Sequence, residues 1–397
     1  MFNFAKKIYH FCLAWLGNIV YGFPSQKLFV LGVTGTKGKS TTLELINAIL
    51  ETAGKKTALL SSVRFKIDKS VEKNATSMTM PGRFFIQRFL RKAVNAGCEY
   101  ALIEVTSQGI LQHRHKFINF NAVMYTNLRP EHIEAHGSFE KYRQAKVSLF
   151  DRVARSSSKP SKLFFVNEGD PYNQYFVSAA NGSGEVRYFS RENFIEKELN
   201  GGREKIGDWL SSDFNLENAA AAAAFAESQG IDWPLIKKTL RSFGGVPGRM
   251  EVIQEQPFKV VIDYAHTPDS LEKVYRALSN NSKLICVLGA AGGGRDKWKR
   301  PRMGKIASKY CREVILTNED PYDEQPEEIL EQIAVGCDGN AKIQKILDRR
   351  EAIKTALEVA KKGYTVAITG KGSEAWMHIA NGKKIPWNER KTVEEAL

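Results

Sequence analysis

The sequence has no Cys-x-x-Cys pair. Its five cysteines, Cys12, Cys98, Cys286, Cys311 and Cys337, lie far apart in a chain of 397 residues. That spacing excludes a zinc ribbon or a disulfide framework and fits reduced thiols in a cytoplasmic protein. There is no low-complexity tract, no internal repeat, and no zinc-finger or aromatic RNA-binding signature. Acidic residues are the minority: 44 Asp and Glu against 58 Lys and Arg leave a formal charge of +14, yet no long basic run carries it. A dispersed excess suits small anions such as nucleotides and carboxylates, or a solvated surface; a nucleic-acid partner is not expected.

A secretory leader is not expected either. Lys6 and Lys7 precede a largely apolar stretch, Ile8 to Phe23, but His10, Asn18 and Tyr21 interrupt it. No small-x-small cleavage site follows, and Pro24 ends it. Residues 1–27 therefore read as a short amphipathic helix packing on the core. Membrane contact is the lesser alternative and is not expected.

What is present is an alternation of apolar strands and amphipathic helices. Strands are expected at Leu28–Val33, Tyr100–Val105, Ala122–Tyr125 and Leu163–Val166, with a helix over Thr41–Ala53 and a buried Ala-rich helix over Asn218–Ser228. The turn cluster Gly244-Gly245-Val246-Pro247-Gly248 is the linker candidate, after which the alternation restarts. Strands are then expected at Lys259–Ile262, Lys283–Leu288, Glu313–Leu316 and Thr365–Thr369, and helices at Ser270–Leu278 and Ala352–Lys361. The fold class is α/β: a central phosphate-loop parallel-sheet domain over 28–246, then a smaller Rossmann-like domain over 247–397.

The strongest local signal is Gly32-Val33-Thr34-Gly35-Thr36-Lys37-Gly38-Lys39-Ser40-Thr41, directly after an apolar strand and before a helix. Glycines let backbone amides turn toward phosphate oxygens, and the helix start adds positive potential. Lys39 would reach the β- and γ-phosphates, and the Ser40 hydroxyl would ligate Mg²⁺. The general pattern wants glycine where Val33 stands, with Gly32 one position early.

Further motifs follow in order: Glu104-Val-Thr-Ser-Gln-Gly, then Thr126-Asn-Leu-Arg-Pro-Glu-His132-Ile-Glu-Ala-His-Gly137, then Tyr142-Arg-Gln-Ala-Lys146. Later come Phe214-Asn215-Leu-Glu-Asn218, Gly248-Arg249-Met-Glu, Asp263-Tyr-Ala-His266-Thr-Pro, Gly292-Gly-Gly-Arg295-Asp-Lys and Gly370-Lys-Gly-Ser-Glu374. From residue 28 to 397 this series resembles the Mur ligase family, and within it the branch that adds the third residue of the cell-wall peptide.

The resemblance implies an ATP-dependent amide ligase that works through an acyl phosphate, with ATP and Mg²⁺ as cofactors. Lys39, Glu104, His132 and Lys146 would be catalytic; Ser40, Glu104, His132 and a carbamylated Lys146 would hold Mg²⁺. Gly35, Thr36, Lys37, Gly38, Lys39, Ser40, Thr41, Asn215, Asn218, Arg249, Asp263 and His266 would bind ATP. Asn215 could equally cap the Ala-rich helix. Thr79, Arg295, Asp320, Gly370 and Glu374 would receive substrate. The implied partners are a UDP-MurNAc-dipeptide and a diamino acid, lysine or diaminopimelate, acted on by a monomer.

Two departures shape the expectation. Only 27 residues precede the core, so the family's uridine-binding domain is expected to be missing or reduced to the leader. Where diaminopimelate ligases of the family carry Asp-Asn-Pro-Arg, this chain reads Glu319-Asp320-Pro321-Tyr322. Loss of that arginine and the acidic pair suit a cationic side chain such as lysine. The alternatives are a related ligase of folylpolyglutamate or cyanophycin type, and a non-catalytic nucleotide-binding module.

Overall fold

The computed structural model describes residues 2–156, 159, 161–180, 182–198, 212–279, 282–339 and 341–397. The chain divides into two compact units, Met1–Arg129 with Phe139–Gly244, and Pro130–Ser138 with Gly245–Leu397.

The first unit opens with α1 (Phe2–Val20), a 3-10 turn (Pro24–Lys27), β1 (Phe29–Thr34) and α2 (Lys39–Thr52). Next come β2 (Thr57–Leu60), β3 (Arg64–Ile67), β4 (Ser70–Lys73), α3 (Arg83–Asn95), β5 (Tyr100–Glu104), α4 (Ser107–Leu111) and β6 (Ala122–Tyr125). After α5 (Ile133–His136), which belongs to the other unit, it resumes with α6 (Phe139–Arg155), β7 (Leu163–Asn167), α7 (Asn173–Ala180), β8 (Glu185–Phe189), α8 (Arg191–Glu198), α9 (Asp213–Ser228) and α10 (Trp233–Ser242).

Its eight strands order as β4-β3-β2-β5-β1-β6-β7-β8. The six from β2 to β8 run parallel, and β3 and β4 add an antiparallel edge. Successive strand residues face opposite layers, so Val30, Ile103 and Val123 join Leu90 and Phe150 on one side. Leu31, Leu102 and Met124 join Leu43, Ile46 and the alanines of α9 on the other. Burial on both faces explains why β1, β5 and β6 read as unbroken apolar runs. Thr106 caps α4 by accepting from the Gly109 N–H.

The second unit holds β9 (Glu251–Gln254), β10 (Lys259–Asp263), α11 (Pro268–Ser279), β11 (Lys283–Leu288), α12 (Lys299–Tyr310), β12 (Cys311–Leu316), α13 (Pro326–Ala334) and β13 (Lys342–Lys345). It ends with α14 (Arg349–Val359), β14 (Tyr364–Thr369), the hairpin β15 (Trp376–His378) and β16 (Lys384–Pro386), and α15 (Glu389–Ala396). The sheet order is β13-β12-β11-β14-β10-β9, parallel but for β9. Asp348 starts α14 by accepting from the Arg350 and Glu351 amides. The fully buried pair Arg349–Glu389 then locks α14 to α15, with Trp387 donating to Glu389 at 2.6 Å.

The expected strands and helices are all present within a few residues. The leader is a helix on α3 as expected, but it is not amphipathic in the expected sense. Its outward face carries Ile8, Tyr9, Trp15 and Val20.

Candidate active site

In the first unit the segment between β1 and α2 bends at two glycines. Gly35 has φ 152°, and a Cβ there would lie 1.9 Å from Thr126 Oγ1. Gly38 has φ 84°, and a Cβ there would lie 2.2 Å from Asn218 Oδ1. Both positions therefore require the absence of a side chain. The end of β6 clamps the loop from behind. The Thr36 N–H donates to the Asn127 carbonyl at 2.8 Å. The Lys37 N–H donates to Asn127 Oδ1 at 2.9 Å. The Lys37 carbonyl accepts from Thr126 Oγ1 at 2.7 Å and Asn127 Nδ2 at 3.1 Å.

Gly38 begins α2 without a side-chain cap. In the first turn, Ser40 Oγ donates to Glu104 Oε2 at 2.9 Å, and the Ser62 N–H reaches the same oxygen at 2.8 Å. Lys39 folds back on the loop, its Nζ 3.1 Å from the Gly35 carbonyl, 3.0 Å from that of Thr36 and 3.9 Å from Glu104 Oε1. Lys146, only 2% exposed, donates to the Gly35 carbonyl at 2.6 Å and lies over the Tyr142 ring at 4.8 Å. Tyr142 in turn meets Thr36 Oγ1 at 3.0 Å. Thus Gly35 to Ser40, Glu104 and Lys146 converge, with Thr41 buried beneath them.

Asn218 sits over Gly38 and accepts from Thr42 Oγ1 at 3.3 Å, while its amide approaches Asn215 Oδ1 at 3.5 Å. Ser212 is the N-cap of α9, so Asn215 lies inside the first turn and is not the cap. Thr79 is half-buried in the bend after β4. Asn74 holds that bend to the Ser61 carbonyl at 2.9 Å, next to Ser62. No hydrogen bond joins Thr79 to the phosphate loop among the described residues. His132 belongs to the second unit, where it has φ 57° and starts α5.

The second unit gathers its own cluster at the carboxyl ends of β10, β12 and β14. Asp263 spends both oxygens on backbone, accepting from the Met250 N–H at 2.8 Å and the Ala265 N–H at 2.7 Å. Arg249 stacks over the Tyr264 ring at 4.1 Å. His266 lies 2.7 Å from the Tyr264 carbonyl by Nδ1 and 3.2 Å from Glu131 Oε1 by Nε2. Tyr264 donates to Glu374 at 2.8 Å, and burial pushes its phenol pKa up.

Lys371 reaches both oxygens of Asp320 at 2.9 and 3.0 Å and Glu374 Oε2 at 2.6 Å. Burial opposes its charge, but Glu374 and Asp320 hold its pKa above the ordinary lysine value. Beside it, Glu319 is raised to about 7 by burial and then by the Asp320 charge. Its Oε2 has no hydrogen-bond partner among the described residues, and a Cβ on Gly370 would come within 2.5 Å of it. Arg295 lies beside Tyr322, which stacks on His378 with ring centroids 5.0 Å apart. Burial opposes the Arg295 charge, and Tyr322, Tyr264 and Glu374 outweigh it.

Thr126, Asn127, Lys371 and Tyr264 stand inside the quoted motifs, but the sequence reading gave them no role. Their signal was position: a polar pair closing a strand next to β1, and a lysine between two glycines facing an acidic pair.

Residues 33–226 match the Mur ligase middle domain and residues 248–372 the Mur ligase, glutamate ligase domain. A UDP-N-acetylmuramoyl-L-alanyl-D-glutamate–2,6-diaminopimelate ligase of Aquifex aeolicus is 36% identical over 391 residues, 95% of this chain and 79% of the relative. A UDP-N-acetylmuramyl-tripeptide synthetase of Roseiflexus is 35% identical, covering 97% and 81%. Among solved structures, a diaminopimelate ligase of the same description aligns with TM-score 0.58 and 28% identity over 93% of this chain and 78% of that one. The Mycobacterium tuberculosis folylpolyglutamate synthase aligns with TM-score 0.68 over 91% and 92%; at 13% identity it shows the fold alone. The chain belongs to the Mur ligase family.

Proposed function

We propose that this protein uses ATP to join the amine of a diamino acid to the free carboxylate of a UDP-MurNAc-dipeptide, in cytoplasmic peptidoglycan-precursor synthesis. The convergence of Lys39, Ser40 and Glu104 on one glycine-shaped loop is the observation that carries the reading. Residues 28–246 act as the ATP-binding domain and 247–397 as the amino-acid domain, in a monomer.

A carboxylate is a poor electrophile, so the γ-phosphoryl of ATP passes to it, giving an acyl phosphate and ADP. The amine then attacks the acyl carbon, and phosphate leaves as the amide forms. Lys39 neutralises charge on the transferring phosphoryl group, and the loop fixes its position. Ser40 and Glu104 offer hard oxygens side by side, the donor type Mg²⁺ prefers, and that ion would screen phosphate charge there. Thr41, Asn215 and Asn218 line the loop from α2 and α9, and Arg249, Asp263 and His266 serve the nucleotide from the second unit. Lys146, once carbamylated, would add oxygen donors beside the loop, and His132 is the further residue proposed as a ligand. Thr79 contributes to the dipeptide site.

The acidic pair alone suits lysine, but Lys371 already offsets one of the two negative charges of Asp320 and Glu374. Arg295, beside Tyr322, supplies a guanidinium for a second carboxylate. Both observations favour diaminopimelate, with Gly370 and Glu374 receiving the amino acid.

The test is phosphate release from ATP and Mg²⁺ with UDP-MurNAc-L-Ala-D-Glu, comparing meso-diaminopimelate, L-lysine and ornithine, with Lys39→Ala as control. Release requiring both substrates, with a tripeptide product by mass, supports the reading. ATP binding without release for any amino acid refutes it.

A further inference from the structure

Helix α1 is built inside out. Toward the protein it turns small residues: Ala14 and Asn18 are buried, and Gly17 packs against Phe84 and Gln87 of α3. Toward solvent it turns Ile8, Tyr9, Trp15, Leu16, Ile19 and Val20, each 40% to 60% exposed. A surface helix ordinarily keeps its apolar side inward, so a continuous apolar strip on the outside marks an interaction surface. Among the described residues, no helix is long and apolar enough to cross a membrane.

Cations rim this strip. Arg91 of α3 holds the Tyr21 and Gly22 carbonyls at the end of α1, both at 2.7 Å. Arg88 and Lys92 on the same helix point to solvent. On the other flank Phe117 packs edge-on to Phe11 at 5.1 Å; Lys116 precedes it in the chain, and Arg114 turns its guanidinium to the Met80 carbonyl and to Gln112 Oε1. Burial lowers the pKa of Arg114 and of Lys116. None of these five cations forms an ion pair among the described residues, although the unit is otherwise rich in them. Positive charge gathered beside an apolar strip, without carboxylates, needs an anionic partner.

Three occupants compete. A second copy packed symmetrically through α1 would set each cationic rim against itself. A protein partner would have to be acidic around an apolar groove. A bilayer containing anionic lipids supplies both features at once: an acyl boundary for Trp15, Leu16 and Ile19, and phosphates at the level of the arginines and lysines.

We propose that α1 lies flat on an anionic membrane surface and seats the protein there, with Arg88, Arg91 and Lys92 against lipid phosphates. The inference stands independently of the ligase reading, because none of these residues belongs to the candidate site.

The full chain would be floated with phosphatidylcholine vesicles, with and without phosphatidylglycerol, and weighed against the double variant Trp15→Glu/Ile19→Glu. These side chains are exposed, so the variant is expected to fold and to keep its phosphate release in solution. Expected results are binding that requires phosphatidylglycerol, weakens when salt rises from about 0.1 to about 0.5 M, and falls roughly tenfold in the double variant. Arg88→Glu/Lys92→Glu, on α3, should lower binding independently and guards against misfolding of α1. Absence of binding to the anionic vesicles would overturn the proposal, as would binding unchanged in the double variant. A dimer in light scattering that Trp15→Glu/Ile19→Glu dissolves would assign the strip to a second copy instead.

Discussion

The ammonium of Lys371 lies 2.9 and 3.0 Å from the two carboxylate oxygens of Asp320, far inside the second unit. A third contact, 2.6 Å to Glu374, makes this lysine the shared counter-charge of both acidic residues that the motifs single out. An incoming ammonium group therefore meets two carboxylates that share one cation, so part of their negative charge stays open to it and the groups around them add to selectivity.

Lys371→Met removes that counter-charge and leaves Asp320 uncompensated in a buried place. The variant is expected to lose about 3 kcal/mol of stability, the usual cost of breaking a buried pair from one side. Its KM for the amino acid should rise more than kcat falls. Thermal melting gives the first number and steady-state kinetics the second; an unaltered KM would remove Lys371 from the amino-acid site.

Glu319 gives the second unit a pH dependence with a definite sign. Its pKa is raised from 4.5 to about 7, first by burial and then by Asp320, so the folded state holds the proton more tightly than the unfolded chain. Stability should therefore fall as pH rises from about 4.5 to about 7, and the penalty stays in full above that. Glu319→Gln should flatten this slope and melt higher than the parent at pH 8, by about 3 kcal/mol at most. Urea titrations at pH 5 and pH 8 measure it, and equal slopes in both proteins would show that Glu319 is ionised throughout.

Gly38 tests the phosphate loop. Gly38→Ala places a Cβ 2.2 Å from Asn218 Oδ1 in a backbone with φ 84°. A strain of about 1 to 3 kcal/mol follows, and α9 must move away from α2. Fluorescent-nucleotide titration should show binding weakened at least roughly tenfold, with the second unit still folded. Unchanged nucleotide affinity in Gly38→Ala would show that the loop does not depend on this close approach to Asn218.

How much of this was legible in the sequence follows from range. Buried parallel strands such as Ala122–Tyr125 read as apolar runs, and the phosphate loop is a contiguous segment, so both were visible. The edge strands Arg64–Ile67 and Ser70–Lys73 were not: they are short and polar, and Lys66 is buried only because Glu51 and Thr57 receive it at 2.9 Å each. Lys371 drew no notice because its partner Asp320 lies 51 residues earlier. Asp263 was expected at the nucleotide; its two backbone bonds to Met250 and Ala265 belong to a turn whose shape no local pattern reveals. The outward face of α1 was hidden for the same reason, since periodicity marks an apolar stripe without saying which side α3 will cover.

Ser40 and its two neighbours separate a ligand role from a packing role. Its hydroxyl donates to Glu104 at 2.9 Å and meets Ser62 Oγ at 2.9 Å. Ser40→Ala should cost about 2 kcal/mol of stability, since it loses two hydroxyl contacts, one of them to a carboxylate. If Ser40 is a Mg²⁺ ligand, phosphate release should also drop roughly a hundredfold and the Mg²⁺ concentration at half-maximal rate should rise. Ser62→Ala is the control: it removes the same hydroxyl contact but keeps the Ser62 N–H on Glu104, 2.8 Å away. It should cost less stability than Ser40→Ala, since the contact to Glu104 stays, and leave the Mg²⁺ requirement unaltered. Equal Mg²⁺ curves for all three proteins would make Ser40 a packing residue and place the metal on other oxygens.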